Sequence, residues 1–214
     1  MAGEITALKL QSRNRKRVNV HIDGQYRFAL SRVLTVRLRV GQEITENEIE
    51  DLKREDEEER AFQRALRLIA RRPRAERELR DYFKRRRVPP RVQDTVIDRL
   101  REKELVDDQA FAEAWVENRR SFRPRSARAL GLELRQKGVD SEIIKHVLED
   151  HDDDVAAYAA ALIGARRWKD ADWKTFQQRL RAYLARRGFD YSTASSVVAR
   201  VWYETIGRED ESEV

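Results

Sequence analysis

Arginine is the residue type in this 214-residue sequence whose abundance and placement could do chemistry. Lys and Arg number 45 against 39 Asp and Glu, for a formal net charge of +6. The surplus is concentrated. Residues 61–148 hold 23 basic and 14 acidic side chains, while 1–60 is balanced and 149–214 is net acidic. Within that basic part the arginines recur in one context. Arg71, Arg72 and Arg74 flank Pro73, with Arg77 following; Arg119, Arg120, Arg123 and Arg125 surround Pro124, with Arg128 following. A second basic group comes later in each stretch: Arg85-Arg86-Arg87, then Arg135 with Lys137, then Arg186-Arg187. A guanidinium is a planar fork that grips a phosphate or carboxylate through paired hydrogen bonds. A repeated set of such forks points to a polyanionic partner, either a nucleic-acid backbone or an acidic protein surface. Arg13, Arg15, Lys16 and Arg17 form a separate basic run and a further candidate contact.

Other chemistries find little support. Cysteine is absent, which excludes disulfides, thiolate metal sites and a thiol nucleophile, and agrees with a reducing cytoplasm. His21, His146 and His151 are the three histidines, and none has a partner at metal-ligand spacing. There is no phosphate-cradling glycine loop, nucleophile elbow or zinc-protease motif. The Asp107-Asp108 and Asp152-Asp153-Asp154 runs read as helix caps, not metal ligands. We therefore expect no enzyme, no cofactor and no metal. No run of about 18 apolar residues is present, so no membrane span is expected. The first residues lack the basic flank and apolar core of a signal peptide, and a cytoplasmic protein is expected.

The elements that must position these arginines are mainly helical. With 8 Gly and 4 Pro among 214 residues, the chain is poor in turn formers. The exception is the N-terminus. Val18, Val20 and Ile22 alternate with polar residues, Asp23-Gly24 follows, and Tyr26, Phe28 and Leu30 alternate again. Asp-Gly between two alternating runs signals a β-hairpin. Residues 5–10 supply a third strand, the run from Arg13 to Arg17 falls in the loop after it, and residues 31–40 form either a short helix or an edge strand. Thr45 with Glu48 reads as a capping box that opens a helix through Ile49 and Leu52. The acidic stretch from Glu55 to Glu59 reads as an exposed helical linker.

Beyond residue 60 the pattern repeats. Leu79, Phe83 and Val88 have the spacing i, i+4, i+9; so have Leu130, Leu134 and Val139, and again Leu180, Leu184 and Phe189. Each trio is preceded by an amphipathic helix and followed by another. A period near 50 residues in an all-helical pattern means tandem three-helix units whose neighbours share apolar faces. Gly138 and Gly188 stand where a helix needs a left-handed residue just past its end. Arg87 occupies that place in the first unit, before Pro89-Pro90, which implies a different ending there. The expected organisation is a small β-rich region at 1–44, an acidic linker helix at 45–60, and three-helix repeats at 61–108, 109–151 and 152–206. An acidic disordered tail follows at 207–214. An array of such units would carry the arginines along one edge as a long positive stripe. Trp115, Trp168, Trp173 and Trp202 sit at apolar helix positions and read as packing residues, not as base-stacking platforms.

Several of these residues together resemble the bacterial RecX family. They are the Arg72-Pro73-Arg74 turn, Glu78-Leu79, Lys137-Gly138, Leu105-Val106-Asp107-Asp108 and Phe111-Ala112. The resemblance is close over residues 61–150 and weaker over 154–205. It implies three tandem three-helix repeats in a curved modular array. It also implies a modulator of the RecA recombinase that docks on the RecA–DNA filament, restrains its ATPase and strand exchange, and binds single- and double-stranded DNA weakly and without sequence preference. A monomer is expected. Arg87 departs from the family's glycine, and the third repeat has Arg166-Arg167-Trp168-Lys169 in place of an Arg-Pro-Arg turn. A DNA-binding helical transcription regulator remains the alternative, because three-helix units are the size of helix-turn-helix modules.

Overall fold

The computed structural model describes residues 3–205. The chain divides into two compact units. One comprises residues up to Arg74 and Leu79–Val106; the other comprises Ala75–Glu78 and the residues from Asp107 onward. The expected acidic tail at 207–214 lies outside the described residues.

The first unit opens with four strands, β1 (Gly3–Leu10), β2 (Arg17–Ile22), β3 (Gln25–Ser31) and β4 (Glu43–Ile44). They form one antiparallel sheet in the order β3-β2-β1-β4. Asp23 and Gly24 both take positive φ, 50° and 78°, as a two-residue hairpin turn requires. The sheet has one strand more than the three read from the sequence. β4 is only two residues long and pairs with Gly3 and Glu4, too short for alternation to betray it. Residues 34–37, left open between helix and strand, form a single 3₁₀ turn.

One 24-residue helix, α1 (Glu46–Ile69), covers the sheet and continues into the first repeat. Its capping box is intact: Thr45 Oγ1 accepts from the Glu48 amide, and the Glu48 carboxylate accepts from the Thr45 amide. Ile49 and Leu52 bury against Ile5, Val20, Ile22, Phe28 and Leu30. Each such side chain contributes roughly 1.5–3 kcal/mol, so these two anchor the helix to the sheet. The acidic stretch is not a solvated linker. Asp56 is 5% exposed and accepts from the Ser31 amide (2.6 Å), the Ser31 hydroxyl (2.7 Å) and the Arg17 guanidinium (3.0 Å). Glu59 is buried as well and accepts from Arg99 and Gln63. Burying a carboxylate without such partners would cost several kcal/mol. The partners explain why the charges point inward.

The second half of α1 packs with α2 (Glu76–Arg85) and α3 (Pro90–Glu102) around Phe62, Leu79, Phe83, Val96, Ile97 and Leu100. The second unit holds α4 (Asp108–Phe122), α5 (Ala127–Lys137) and α6 (Ser141–Val147), then α7 (Asp153–Ala165), α8 (Trp173–Ala185) and α9 (Tyr191–Thr205). Its two cores centre on Phe111, Leu130, Leu134 and Ile144, and on Phe176, Leu180, Leu184 and Val198. Three tryptophans are partly buried against aromatic neighbours, Trp168 against Tyr183, Trp202 against Phe176 and Trp115 beside Phe111, whereas Trp173 touches Trp202 but is exposed.

The structure explains the repeated spacing. Each middle helix ends in one backbone motif, in which the amide of the last apolar residue donates to a carbonyl five residues earlier. Val88 donates to Phe83, Val139 to Leu134 and Phe189 to Leu184. The i+4 and i+9 residues are thus the two apolar partners that close a Schellman ending. Gly138 and Gly188 take φ of 85° and 92°. Arg87 does the same at φ 55°, so the first repeat does not end by a different device. An arginine there accepts the steric strain that glycine avoids. A Cβ on Gly138 would also overlap the Arg77 side chain, and one on Gly188 would overlap Ser126 and Ala129.

Both aspartate pairs cap helices, each in two directions. Asp107 accepts from the Gln109 and Ala110 amides at the start of α4, and Asp152 accepts from Asp154 and Val155 at the start of α7. The next residue reaches to a different helix. Asp108 accepts from the Glu76 amide at 2.8 Å, and Asp153 from the Ala127 amide at 2.7 Å. One Asp-Asp dipeptide thereby satisfies the first amides of two helices, α2 and α4 in one case and α5 and α7 in the other. Among the described residues no helix is long and apolar enough to cross a membrane.

Candidate functional site

The basic residues of the second unit fall into three groups. The first is held in place by its own neighbours. The Glu133 carboxylate takes the Arg119 Nε–H at 2.9 Å and the Trp115 indole N–H at 2.7 Å on one oxygen. Its other oxygen takes the Arg125 guanidinium at 3.0 Å. Arg119 also lies over the Trp115 ring, 4.3 Å from its centroid, and Lys137 lies 5.1 Å from it. Lys137 donates to Glu78 at 2.9 Å. Arg119, Arg125 and Lys137 are therefore oriented by internal bonds. Of the two negative charges that hold them, Glu133 faces Arg119 and Arg125, and Glu78 faces Lys137.

The second group is exposed. Arg128 and Arg135 lie seven residues apart on one face of α5, with exposed Leu132 between them. Arg123 is exposed beside buried Pro124, and Phe122 before it is 72% exposed. Arg120 is exposed and 3.8 Å from Glu117, an interaction worth little in water. Leu132 and Phe122 were not singled out by sequence reasoning. Their signal was an apolar residue on the polar face of an amphipathic helix.

A third concentration lies where the second and third repeats meet within this unit. The Ser126 amide donates to the Arg187 carbonyl, and His151 Nε2 lies 3.0 Å from the Arg125 carbonyl. Arg187 rests 3.7 Å from the centroid of Tyr183, with Arg167 5.7 Å away on the same ring. Partial burial lowers the Arg187 pKa, Tyr183 opposes the shift, and the charges of Arg125, Arg167 and Arg186 lower it further. A guanidinium stays charged at neutral pH regardless, so the shift records its partial burial first and the neighbouring cations second. The Arg166-Arg167-Trp168-Lys169 turn of the third repeat thus sits where the Arg-Pro-Arg turn would be, with Trp168 against Tyr183.

In the first unit Arg71, Arg85 and Arg87 are exposed, as is Arg77 in the short stretch of α2 that belongs to the second unit. Arg86 is exposed over the Tyr82 ring. Arg72 donates to the Pro73 carbonyl, and Arg74 is half-buried. In the N-terminal run Arg17 is engaged with Asp56 and the Ala29 carbonyl, and is a tie between sheet and helix. Arg13, Arg15 and Lys16 are exposed. Among the described residues no three His, Asp or Glu side chains are grouped to hold a metal.

The fold and its surface define a class: a tandem three-helix-repeat protein with a small N-terminal sheet and basic helix faces. Comparison with known proteins gives that class a family. The RecX N-terminal domain matches residues 3–45, the first RecX three-helix domain 61–100 and the second 107–148. The chain is 30% identical to the regulatory protein RecX of Bacillus velezensis, across 98% of this chain and 81% of that one. It is also 30% identical to that of Bacillus subtilis, across 94% and 78%. A crystal structure of regulatory protein RecX matches with a TM-score of 0.69 at 25% identity, covering 97% of this chain and all of that one. RecX from Lactobacillus salivarius shares the fold, with a TM-score of 0.57. This chain belongs to the RecX family of regulatory proteins.

Proposed function

We propose that this chain regulates the RecA recombinase by binding the RecA–DNA filament and restraining its ATP hydrolysis, strand exchange and growth. Recombinational repair and the SOS response are where such a restraint acts. The observation that carries the reading is the placement of Arg167 and Arg187 on the one Tyr183 ring at a repeat joint, with Arg186 exposed next to Arg187 in the chain. Like charges do not gather around a partly buried guanidinium without cost, and an anionic partner offsets that cost. A nucleoprotein filament offers phosphates and protein carboxylates together, and many modest contacts add through multivalency. No catalytic step is needed: a protein that binds one state of a filament better than another shifts the population. In this reading the chain is a non-enzymatic cytoplasmic monomer that takes no cofactor, and its contacts with free DNA are weak and unselective.

The test is co-sedimentation with RecA assembled on single-stranded DNA. Arg167→Glu with Arg186→Glu and Arg187→Glu should lower the bound fraction at least tenfold, as should Arg123→Glu with Arg128→Glu and Arg135→Glu. If both variants bind filaments as the parent does, the basic faces are solvated surface. If the parent instead binds one duplex sequence far more tightly than others, the chain is a DNA-binding regulator.

A further inference from the structure

The first unit contains a cleft of about 580 Å³ between the edge of the sheet and the second half of α1. One wall is the connection entering β2 together with the residues leaving β3. The other is α1 from Glu59 to Arg67. The lining is cationic, with Arg15, Lys16 and Arg32 on the sheet side and Arg60, Arg64 and Arg67 on the helix side. The helix trio has the spacing i, i+4, i+7, which places all three on one face. The two other charged residues of the lining are already engaged: Arg17 with Asp56, and Glu59 with Arg99 at 2.8 Å. None of the six remaining cations has an ion-pair partner among the described residues.

The walls are built before any ligand arrives. Asp56 lies one helical turn before Arg60 and holds Ser31 and Arg17 by hydrogen bonds. The Arg32 amide donates to the Lys16 carbonyl at 2.8 Å, and the Lys16 amide to the Asn14 side chain at 3.2 Å. Both loops are therefore fixed to each other and to α1. A preorganised site loses little entropy on binding.

We propose that this cleft holds the sugar-phosphate backbone of single-stranded nucleic acid. Six charges facing one cavity call for a dense polyanion, and a nucleic acid carries one charge per nucleotide. The cleft has the volume of a small-ligand pocket, and a flexible single strand can bend to bring successive phosphates to both of its walls. No aromatic residue lines it, so bases are not stacked and the contact does not read sequence. Val33 is the one apolar side chain in the lining, which leaves an acidic peptide without the apolar pocket that anchors peptides. The site adds to the filament reading a strand contact in the first unit. It is measured without recombinase, so the failure of either leaves the other standing.

The experiment is fluorescence anisotropy of the full chain with a labelled oligothymidylate across a salt series. The two variants are Arg60→Glu with Arg64→Glu and Arg67→Glu, and, on the opposite wall, Arg15→Glu with Lys16→Glu and Arg32→Glu. Each should weaken binding more than tenfold. Each should also flatten the slope of log affinity against log salt by about 2, from ~0.7 for each of three lost phosphate contacts. Circular dichroism melting identifies a variant that fails to fold, and the loop-side triple, which changes only exposed residues, then carries the test. Unchanged affinity and slope in the folded variants overturn the proposal. So does displacement of the oligonucleotide by polyglutamate at equal charge, which makes the cleft a site for acidic protein. Equal binding of a hairpin duplex with the same sensitivity to both triples also overturns it.

Discussion

Arg87 illustrates how one residue can carry two opposed demands. Its backbone is left-handed, at φ 55°, to end α2, which suits glycine; its side chain is an exposed cation in a basic run. Arg87→Gly should raise stability by about 0.5–1 kcal/mol, the relief of left-handed strain less the greater freedom of glycine in the unfolded chain. Chemical denaturation measures it, and a loss of stability would mean that the side chain contributes more than its backbone costs. Carboxylates at helix starts make a second residue-scale prediction. Glu48, Asp172 and Asp190 all titrate below their ordinary values. The Thr45 amide lowers Glu48, the Thr175 side chain and amide lower Asp172, and the Ser192 hydroxyl and Thr193 amide lower Asp190. A group with a depressed folded pKa stabilises the fold above its unfolded pKa and stops doing so as pH falls through the folded one. Stability should therefore decline as pH drops below the ordinary values of 4.5 and 3.8, with no contribution from these groups to any change near neutrality. A thermal melting series across acid pH reads it directly.

At the scale of elements, the aspartate pairs do more than begin their own helices. Asp153 caps α5 while its neighbour Asp152 caps α7, so the start of the third repeat is fastened to the second. Asp153→Ala should lower stability by about 1 kcal/mol. Asp154→Ala, at an exposed position one residue on, should stay within about 0.5 kcal/mol of the parent. Urea denaturation of both variants separates a cap from a generic acidic residue. This is also where the sequence was most and least legible. The hairpin turn at Asp23-Gly24, the box at Thr45 and Glu48 and the endings at Gly138 and Gly188 depend on residues a few positions apart, so local spacing reveals them. The burial of Asp56 depends on Ser31 and Arg17, which lie 25 and 39 positions away. A solvated acidic run and a buried one look alike without those partners. The reach of Asp108 to Glu76 and of Asp153 to Ala127 escaped notice for the same reason, being 32 and 26 positions long. Arg60, Arg64 and Arg67 have a helical period that is visible in the sequence, but the loop residues that complete their cleft lie about 30 to 50 positions away.

For the whole molecule, charge decides the kind of partner and the repeats decide how many contacts are made. The chain's net charge of +6 is modest, yet ion pairing within each unit is selective. Arg17, Arg119, Arg125 and Lys137 are tied to carboxylates, whereas Arg123, Arg128 and Arg135 stand exposed. The sequence could display all of these cations but could not sort them, because which guanidinium meets a carboxylate is decided by tertiary contact. The action proposed for these contacts is restraint of a recombinase filament. Its most direct test is the rate of single-stranded-DNA-dependent ATP hydrolysis by the matching RecA, titrated with this protein. The rate should fall at ratios well below one chain per recombinase subunit, and Arg167→Glu with Arg186→Glu and Arg187→Glu should abolish the fall. A rate unchanged at every ratio would contradict it.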